Sequence, residues 1–174
     1  MNKIWLNESY PLMNPTLSAL TARLNERGQT VTCAESCTGG LLAAELTRLP
    51  GSSAWFHTGF ITYSNEAKQQ LLGVKSNTLD FYGAVSEETV REMALGALIA
   101  AKADYALSIS GIAGPEGGSE AKPVGTVWFG LATKQRIWAQ RAFFEGDRDS
   151  IRGQAVQFAL AFLNGKMEGA GGGK

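Results

Sequence analysis

The chain has 174 residues, of which 44% are apolar and 18% charged, a composition typical of one globular domain and not of a disordered chain. Lys plus Arg and Asp plus Glu each number 16, and this balance argues against nucleic acid as a partner. The sequence shows neither the pattern of a signal peptide nor an apolar run of membrane-spanning length, so we expect a cytoplasmic protein with no membrane partner. Two cysteines and one histidine are too few ligands for a zinc site, and we expect no metal and no cofactor.

The first predicted elements are a helix, a short strand and a second helix. Asn14 is a favourable N-cap and Pro15 suits the first helical position, so a helix is predicted to begin here and to end at Gly28. A short buried strand over 30–34 and a helix over 41–49 follow.

Strands and helices continue to alternate along the rest of the chain. Asn65 and Ser86 are the predicted N-caps of two of these segments. The last two strands are separated by a short turn at Lys134-Gln135, which predicts a hairpin. The remaining predicted elements are strands at 59–64, 105–110, 124–132 and 137–144, and helical segments at 66–72, 87–102 and 148–163.

This order of elements predicts one α/β domain over residues 14–165. Alternating strands and helices in the first two thirds favour a mostly parallel sheet, and the closing hairpin makes the sheet mixed. Residues 1–13 have no clean hydrophobic period and are predicted to be an N-terminal extension. The Gly-rich segment 166–174 is predicted to be a disordered tail.

The most informative stretch is the turn between the first strand and the second helix, which contains Ser36, Thr38, Gly39 and Gly40. A turn of small residues in this position exposes a hydroxyl at the rim of the sheet and aims several backbone N–H groups at one point. An amide hydrolase needs these two parts, a nucleophile and donors for the oxyanion. A capped helix N-terminus with nothing bound would explain the same residues.

Three loops rich in small and polar residues follow predicted strands, at 35–40, at 63–68 and at 110–119, the last running on to Thr126. If the strands are neighbours, all three loops meet at one edge of the sheet, where α/β folds bind their ligands. The sequence therefore predicts a cleft that contains hydroxyls, backbone donors and one lysine.

A serine nucleophile needs a base to take its proton. His57 precedes the second strand and is expected at the opposite end of the sheet from Ser36. Lys68 lies one helical turn after that strand, and a lysine removed from water can act as a base. Tyr63, at the strand end, would relay the proton or orient the hydroxyl. The alternatives are a solvated lysine and a half-buried strand tyrosine.

Two further features of the sequence bear on the cleft. Cys37 is a rival nucleophile, because a thiol at a helix N-terminus can have a lowered pKa, but it has no histidine partner. Arg148 and Arg152 are four residues apart on one helix face, which suits a phosphate group. An ion pair with a neighbouring carboxylate is the alternative for either arginine.

Taken together, seven segments in this order resemble the CinA C-terminal domain family, and within it the stand-alone nicotinamide-nucleotide amidohydrolases. The resemblance covers roughly residues 15–164. The segments are Ala34-Glu35-Ser36-Cys37-Thr38-Gly39-Gly40, Pro50-Gly51-Ser52-Ser53, Thr62-Tyr63-Ser64-Asn65-Glu66-Ala67-Lys68, Gly83-Ala84-Val85-Ser86-Glu87, Ser110-Gly111-Ile112-Ala113-Gly114-Pro115, Gly125-Thr126-Val127-Trp128 and Gly146-Asp147-Arg148.

The resemblance implies a three-layer α/β/α domain that forms a homodimer. Active members of the family hydrolyse the carboxamide of nicotinamide mononucleotide to nicotinate mononucleotide and ammonia, in pyridine nucleotide salvage. A catalytically silent nucleotide-binding paralogue is the alternative function. A nucleic-acid-associated competence factor, suggested by the family's name, fits the neutral charge least.

The resemblance also assigns residues to roles. The catalytic set falls on Ser36, Lys68 and Tyr63. The substrate-binding positions are Thr38, Gly39, Gly40, Asn65, Ser110, Gly111, Ile112, Ala113, Gly114 and, for the phosphate, Arg148.

Overall fold

The computed structural model describes residues 14–170, so the predicted N-terminal extension at 1–13 and the last four residues lie outside the described part. The helices are α1 (Pro15–Arg27), α2 (Leu41–Leu46), α3 (Asn65–Leu72), α4 (Ser76–Tyr82), α5 (Glu87–Ala101) and α6 (Arg148–Ala170), with a short 3₁₀ turn at Ser52–Ala54. The strands are β1 (Val31–Glu35), β2 (Phe60–Ile61), β3 (Tyr105–Gly111), β4 (Thr126–Ala132) and β5 (Ile137–Phe143). None of the helices in residues 14–170 has both the length and the apolar character needed to cross a membrane.

The five strands form one mixed sheet in the order β2-β1-β3-β4-β5. β1 pairs in parallel with β2 and with β3, whereas β4 pairs antiparallel with β3 and β5. Four of the five strands therefore run in one direction, with β4 reversed by the closing hairpin. The predicted α/β class and mixed sheet are confirmed.

Helices cover both faces of the sheet, which gives three layers. α1, α2 and α6 pack on one face, and α3, α4 and α5 pack on the other. Side chains alternate between the two faces along each strand, so Cys33 of β1 points into the first core and Ala34 into the second. The same alternation directs Glu35, the last residue of β1, toward α2 and Ser36, the first residue after the strand, toward the layer that contains α3.

Local signals in the sequence account for the helix ends. The Asn14 side chain accepts a hydrogen bond from Leu17 N at 3.2 Å, and Gly28 ends α1 with φ +60°, as predicted. Ser86 caps α5 by accepting from Thr89 N at 3.2 Å. α3 differs from the prediction, because its N-cap is Ser64, which accepts from Ala67 N at 3.0 Å, and not Asn65.

Three elements differ from the sequence prediction in extent. β2 has two residues instead of six, because it lies at the edge of the sheet and pairs only with the end of β1. α2 ends at Leu46 and not at residue 49. α4 was not predicted, since its single buried residue, Leu79, produces no apolar period.

The prediction of disorder from residue 166 is wrong up to residue 170, because α6 continues to Ala170. Met167 is completely buried in the core beneath this last part of the helix. Glu168 forms an ion pair with Arg23 of α1 at 3.4 Å. Packing against α1 therefore keeps the end of α6 helical despite its glycines.

Candidate active site

The turn that contains Ser36 leaves the sheet where β1 and β3 end. Ser36 N donates to Ile109 O at 3.0 Å, which extends the parallel β1–β3 pairing by one residue. In this register Ser36 is the neighbour of Ser110, and both side chains face the α3–α5 layer. Ser36 is 8% exposed, so its hydroxyl lies in the floor of the predicted cleft.

Lys68 of α3 reaches this hydroxyl from the opposite layer. Its side chain is only 1% exposed, which excludes the alternative of a solvated lysine. Lys68 Nζ lies 3.0 Å from Ser36 Oγ, 2.9 Å from Thr62 O and 3.1 Å from Tyr63 O. Within residues 14–170, no carboxylate forms an ion pair with Lys68.

Burial without a counter-charge lowers the pKa of Lys68 from 10.5 to about 8, and Cys37 opposes this shift slightly. A neutral amine has two N–H groups and one lone pair. The carbonyls of Thr62 and Tyr63 can accept the two N–H groups, which leaves the lone pair for the Ser36 hydroxyl proton. The three contacts suit the ammonium form, which donates all three hydrogen bonds, and equally the neutral amine, which accepts from Ser36 and in that form can act as a base.

Tyr63 contributes to this contact through its main chain. Its carbonyl accepts a hydrogen bond from Lys68 Nζ and lies 3.4 Å from Ser36 Oγ, whose one proton can be donated either to this oxygen or to a neutral Lys68 Nζ. Its ring is exposed, and the phenol oxygen accepts from Arg148 Nη2 at 3.1 Å. The phenol is thus engaged with Arg148, whereas the sequence predicted that it would relay the proton or orient the serine hydroxyl.

Glu35 is a member of the site that the sequence analysis did not single out. Its carboxylate is completely buried and accepts hydrogen bonds from Thr38 Oγ1 at 2.6 Å, Leu42 N at 2.8 Å and Ala43 N at 3.1 Å. The last two donors belong to the first turn of α2, so Glu35 caps this helix from inside the protein. Thr38 is also completely buried, and its hydroxyl holds the turn rather than facing the cleft.

The two arginines of α6 both approach the cleft. Arg148 Nη1 donates to Gly114 O at 2.8 Å, so this side chain links the loop after β3 to Tyr63. Arg152 donates through Nε to Cys37 O at 2.9 Å and through Nη2 to Thr38 O at 3.3 Å. Arg148 and Arg152 therefore lie on one face of α6, as predicted, and this face is directed at the site. Arg152, however, is already hydrogen-bonded to the Ser36 turn.

The remaining predicted positions surround the same edge of the sheet. Gly111 ends β3 and the residues up to Gly114 begin the loop after it; a Cβ at Gly111 would lie 2.7 Å from Val127 Cγ2, so only glycine fits there. Asn65 is exposed at the start of α3. The structure thus brings the three predicted loops together at one edge of the sheet.

The Ser36 turn also presents backbone donors. Gly39 N donates to Ser36 O at 3.1 Å, which closes the turn, and Gly40 adopts φ +110°. Among residues 14–170, the N–H groups of Thr38 and Gly40 donate to no backbone acceptor. Gly40 is the one of these two residues that is not buried, so its N–H is the more accessible to a ligand.

The rival chemistry that the sequence left open fits the structure poorly. Burial raises the pKa of the Cys37 thiol to about 11, which makes it a poor nucleophile near neutral pH. His57 lies beside Thr30 and Thr32 at the beginning of β1, the end away from Ser36, as expected. Between residues 14 and 170, no group of three or more His, Cys, Asp or Glu is arranged to hold a metal ion.

Thr62 provides a test of packing next to the site. Its hydroxyl is buried and, in the described part of the chain, has no hydrogen-bond partner, whereas its carbonyl holds Lys68 Nζ. Thr62→Val is expected to increase the free energy of unfolding by about 1 kcal/mol, because it removes an unsatisfied buried hydroxyl while keeping the shape. Thermal unfolding measures the change, with an expected rise in Tm of roughly 2–4 °C.

Thr32→Val is the matched control for this prediction. The Thr32 hydroxyl is equally buried but donates to Thr58 O at 2.6 Å, so its loss leaves an acceptor unpaired. We expect this variant to lower Tm. A fall in Tm for Thr62→Val as well would contradict the assignment of its hydroxyl as unsatisfied.

The site thus lies at one edge of the sheet of an α/β domain, where a buried lysine contacts a serine. Comparisons with known proteins identify the family of the domain. A family model described as the CinA C-terminal domain matches residues 14–167. This chain belongs to the CinA C-terminal domain family.

Relatives of known name and solved structures are similar to this protein over most of its length. The nicotinamide-nucleotide amidohydrolase PncC of Escherichia coli is 62% identical over 141 residues, covering 80% of this chain and 86% of that protein. The protein of the same name from Pseudomonas putida is 48% identical over 160 residues, covering 90% of this chain and 98% of that protein. The crystal structure of a CinA-superfamily protein from Klebsiella pneumoniae superimposes with a TM-score of 0.85 at 45% identity, covering 88% of this chain and 96% of that one.

Proposed function

We propose that this protein is a nicotinamide-nucleotide amidohydrolase, which converts nicotinamide mononucleotide and water to nicotinate mononucleotide and ammonia. The observation that carries the proposal is the buried pair of Ser36 and Lys68, 3.0 Å apart, in which no carboxylate of residues 14–170 pairs with the amine. The names of the relatives from E. coli and P. putida support the same substrate class. The product would return to pyridine nucleotide salvage.

In the proposed first step, neutral Lys68 takes the proton of Ser36 as Ser36 Oγ attacks the carboxamide carbon. The Nζ–Oγ distance of 3.0 Å is within range for direct proton transfer. The carbonyls of Thr62 and Tyr63 accept hydrogen bonds from the two N–H groups of the amine, and they stabilise the ammonium that forms when it takes the proton. The pyridinium charge of the substrate makes its carboxamide carbon more electrophilic.

The oxyanion that forms needs donors close to Ser36. Backbone N–H groups of the Ser36 turn, with Gly40 the most accessible, or of the loop from Ser110 to Gly114 would supply them. The C–N bond then breaks as Lys68 donates the proton to the leaving nitrogen, which departs as ammonia. A water molecule attacks the acyl-enzyme by the same route, with Lys68 again as base and Ser36 as leaving group.

Arg148 would bind the phosphate of the substrate. It is an exposed arginine beside the cleft, where its guanidinium rests on Gly114 O and the Tyr63 phenol. The phosphate would accept the guanidinium hydrogen bonds that these two neutral groups now accept, since charge-assisted bonds are stronger. Tyr63, Asn65 and the glycines of both loops would shape the rest of the cleft around the nucleotide.

For Arg148→Gln we expect the KM for nicotinamide mononucleotide to rise roughly 10- to 100-fold, because one charge-assisted contact to the phosphate is lost. The kcat should remain within about threefold of wild type, since phosphate binding acts equally on ground and transition states. Steady-state ammonia release measures both parameters. Nicotinamide riboside, which lacks the phosphate, is the control substrate, and wild type and variant should hydrolyse it with the same kcat/KM. A large fall in kcat with unchanged KM would contradict the assignment.

The test of the proposed function is ammonia release from nicotinamide mononucleotide by purified protein in the presence of excess chelator. Release that is undiminished by chelator supports a serine amidohydrolase that works without a metal. No release, together with tight nucleotide binding by calorimetry, would favour the alternative of a silent nucleotide-binding paralogue. That alternative leaves the burial of Lys68 against Ser36 without a purpose, since a pure binder needs no base.

The homodimer and the cytoplasmic location implied by the sequence remain predictions. Sedimentation velocity of the purified chain at micromolar concentration tests the first, with a mass of twice 18.5 kDa as the expected result. Cell fractionation tests the second.

A further inference from the structure

Glu35 has a feature that the proposed chemistry does not use. Its carboxylate is completely buried, and no cationic side chain in residues 14–170 forms an ion pair with it. A buried charge without a counter-charge is costly unless hydrogen bonds satisfy it. Here four groups surround the carboxylate: Thr38 Oγ1, Leu42 N, Ala43 N and, at 3.7 Å, Cys33 Sγ.

Three of these four groups belong to the segment that carries the nucleophile, and the fourth, Cys33 Sγ, belongs to β1. Thr38 lies inside the Ser36 turn, and Leu42 and Ala43 form the first turn of α2 directly after it. The main chain of Glu35 also takes part, since its carbonyl accepts from Thr62 N at 2.8 Å. Thr62 in turn holds Lys68 Nζ through its own carbonyl. Glu35 is therefore connected to both members of the serine–lysine pair without touching either reactive atom through its side chain.

Arg152 holds the same turn from the outside. Its guanidinium binds the carbonyls of Cys37 and Thr38, and it packs so closely that a Cβ on Gly39 would lie 3.3 Å from its Nη2. Thr38 is thus bound on two sides, with its hydroxyl on Glu35 and its carbonyl on Arg152. The negatively charged Glu35 meets hydrogen-bond donors, and the positively charged Arg152 meets carbonyl oxygens, which are acceptors.

We propose that Glu35 and Arg152 are positioning residues that clamp the Ser36 turn and so hold Ser36 Oγ within proton-transfer distance of Lys68. The proposal deepens the function proposed above and rests on it. Glu35 fixes the turn relative to the sheet and α2, and Arg152 fixes it relative to α6. A displacement of the nucleophile by about 1 Å is enough to cost on the order of 100-fold in rate.

Glu35→Gln is the sharpest test, because it keeps the size of the side chain and changes only its hydrogen-bonding capacity. Each carboxylate oxygen accepts from protein donors, so the amide NH₂ must face a donor whichever way it is turned. We expect kcat for nicotinamide mononucleotide to fall about 100-fold with KM within about threefold of wild type. In the crystal structure of the variant, the distance from Ser36 Oγ to Lys68 Nζ should exceed 3.5 Å.

Asp104→Asn is the matched control. Asp104 also accepts from a backbone N–H, that of Thr30 at 2.9 Å, but at the far end of the sheet. We expect this variant to lose stability without losing kcat. If Glu35→Gln loses no more kcat than Asp104→Asn, if its loss lies entirely in KM, or if the Oγ–Nζ distance is unchanged, the proposal is overturned.

Two milder variants keep the test usable if Glu35→Gln does not fold. Thr38→Val removes one hydrogen bond to Glu35, and Arg152→Lys keeps the charge but loses the two-point contact to the turn. Each should lower kcat about tenfold and leave KM unchanged, whereas a phosphate-binding role for Arg152 would raise KM instead. The crystallographic distance separates this proposal from the proposed function, because it is measured whether or not the wild type releases ammonia.

Discussion

Ser36→Ala is expected to reduce ammonia release from nicotinamide mononucleotide by roughly 10⁴-fold or more, because the acyl-enzyme route is lost with the nucleophile. Substrate binding should survive, since the hydroxyl is one small group in a cleft formed by three loops. The variant removes no hydrogen bond that the fold needs: Ser36 N, which continues the β1–β3 pairing, is unaffected. Turnover is measured by coupled ammonia detection and binding by calorimetry.

Ser76→Ala is the control for this experiment. Ser76 is exposed at the start of α4 and should tolerate alanine without loss of activity. Retention of more than about a tenth of wild-type turnover by Ser36→Ala would mean that water, and not Ser36, attacks the amide. Loss of turnover together with loss of binding would instead assign Ser36 to substrate recognition.

Lys68→Met is expected to lower kcat by roughly 10²- to 10⁴-fold, the usual contribution of a positioned general base. Methionine fills nearly the same volume and avoids the cost of burying an amine, but the carbonyls of Thr62 and Tyr63 lose a donor, so the two effects oppose each other and Tm should change little. Steady-state kinetics and thermal unfolding of the same preparation measure the two effects. Lys75→Met changes an exposed lysine and should leave kcat unchanged. A Lys68→Met enzyme with wild-type kcat would rule out Lys68 as the base.

The pH dependence of the wild type follows from the same residue. Because burial lowers the pKa of Lys68 to about 8, kcat/KM should rise with pH and reach half its plateau near that value. The residual activity of Lys68→Met should lack this rise. A midpoint near pH 10.5, the ordinary value for lysine, would mean that Lys68 is solvated in the working enzyme.

Lys68 also affects stability, with a defined sign. Its pKa is lower in the folded protein than in the unfolded chain, so between about pH 8 and 10.5 the unfolded chain binds more protons. The contribution of Lys68 to the free energy of unfolding therefore rises with pH between about 8 and 10.5, and it is lowest below pH 8. The difference in stability between wild type and Lys68→Met should shift in favour of the wild type from pH 8 to 10.5.

Much of the fold could be predicted because its signals are local. Asn14, Pro15 and Gly28 define both ends of α1, and Ser86 with its following acidic residues defines the start of α5. The hairpin of β4 and β5 follows from two apolar runs and a short turn. Where local signals are weak the prediction failed, as at α4 with one buried residue and at the end of α6, which packing against α1 stabilises.

The candidate site shows the same division more sharply. The sequence by itself indicated Ser36 in a strand-to-helix turn and Lys68 one helical turn after a strand, because both depend on residue type and spacing. It could not reveal that Lys68 is buried, since lysine is normally solvated and its burial requires α3 to pack against the sheet. Only the tertiary structure decided that the Tyr63 carbonyl, and not its phenol, meets the pair, and that Glu35 and Arg152 hold the turn from two layers. The contacts of Lys68 with Ser36 and of Arg152 with Cys37 join residues 32 and 115 positions apart in the chain, so their geometry is set by packing and not by local propensity.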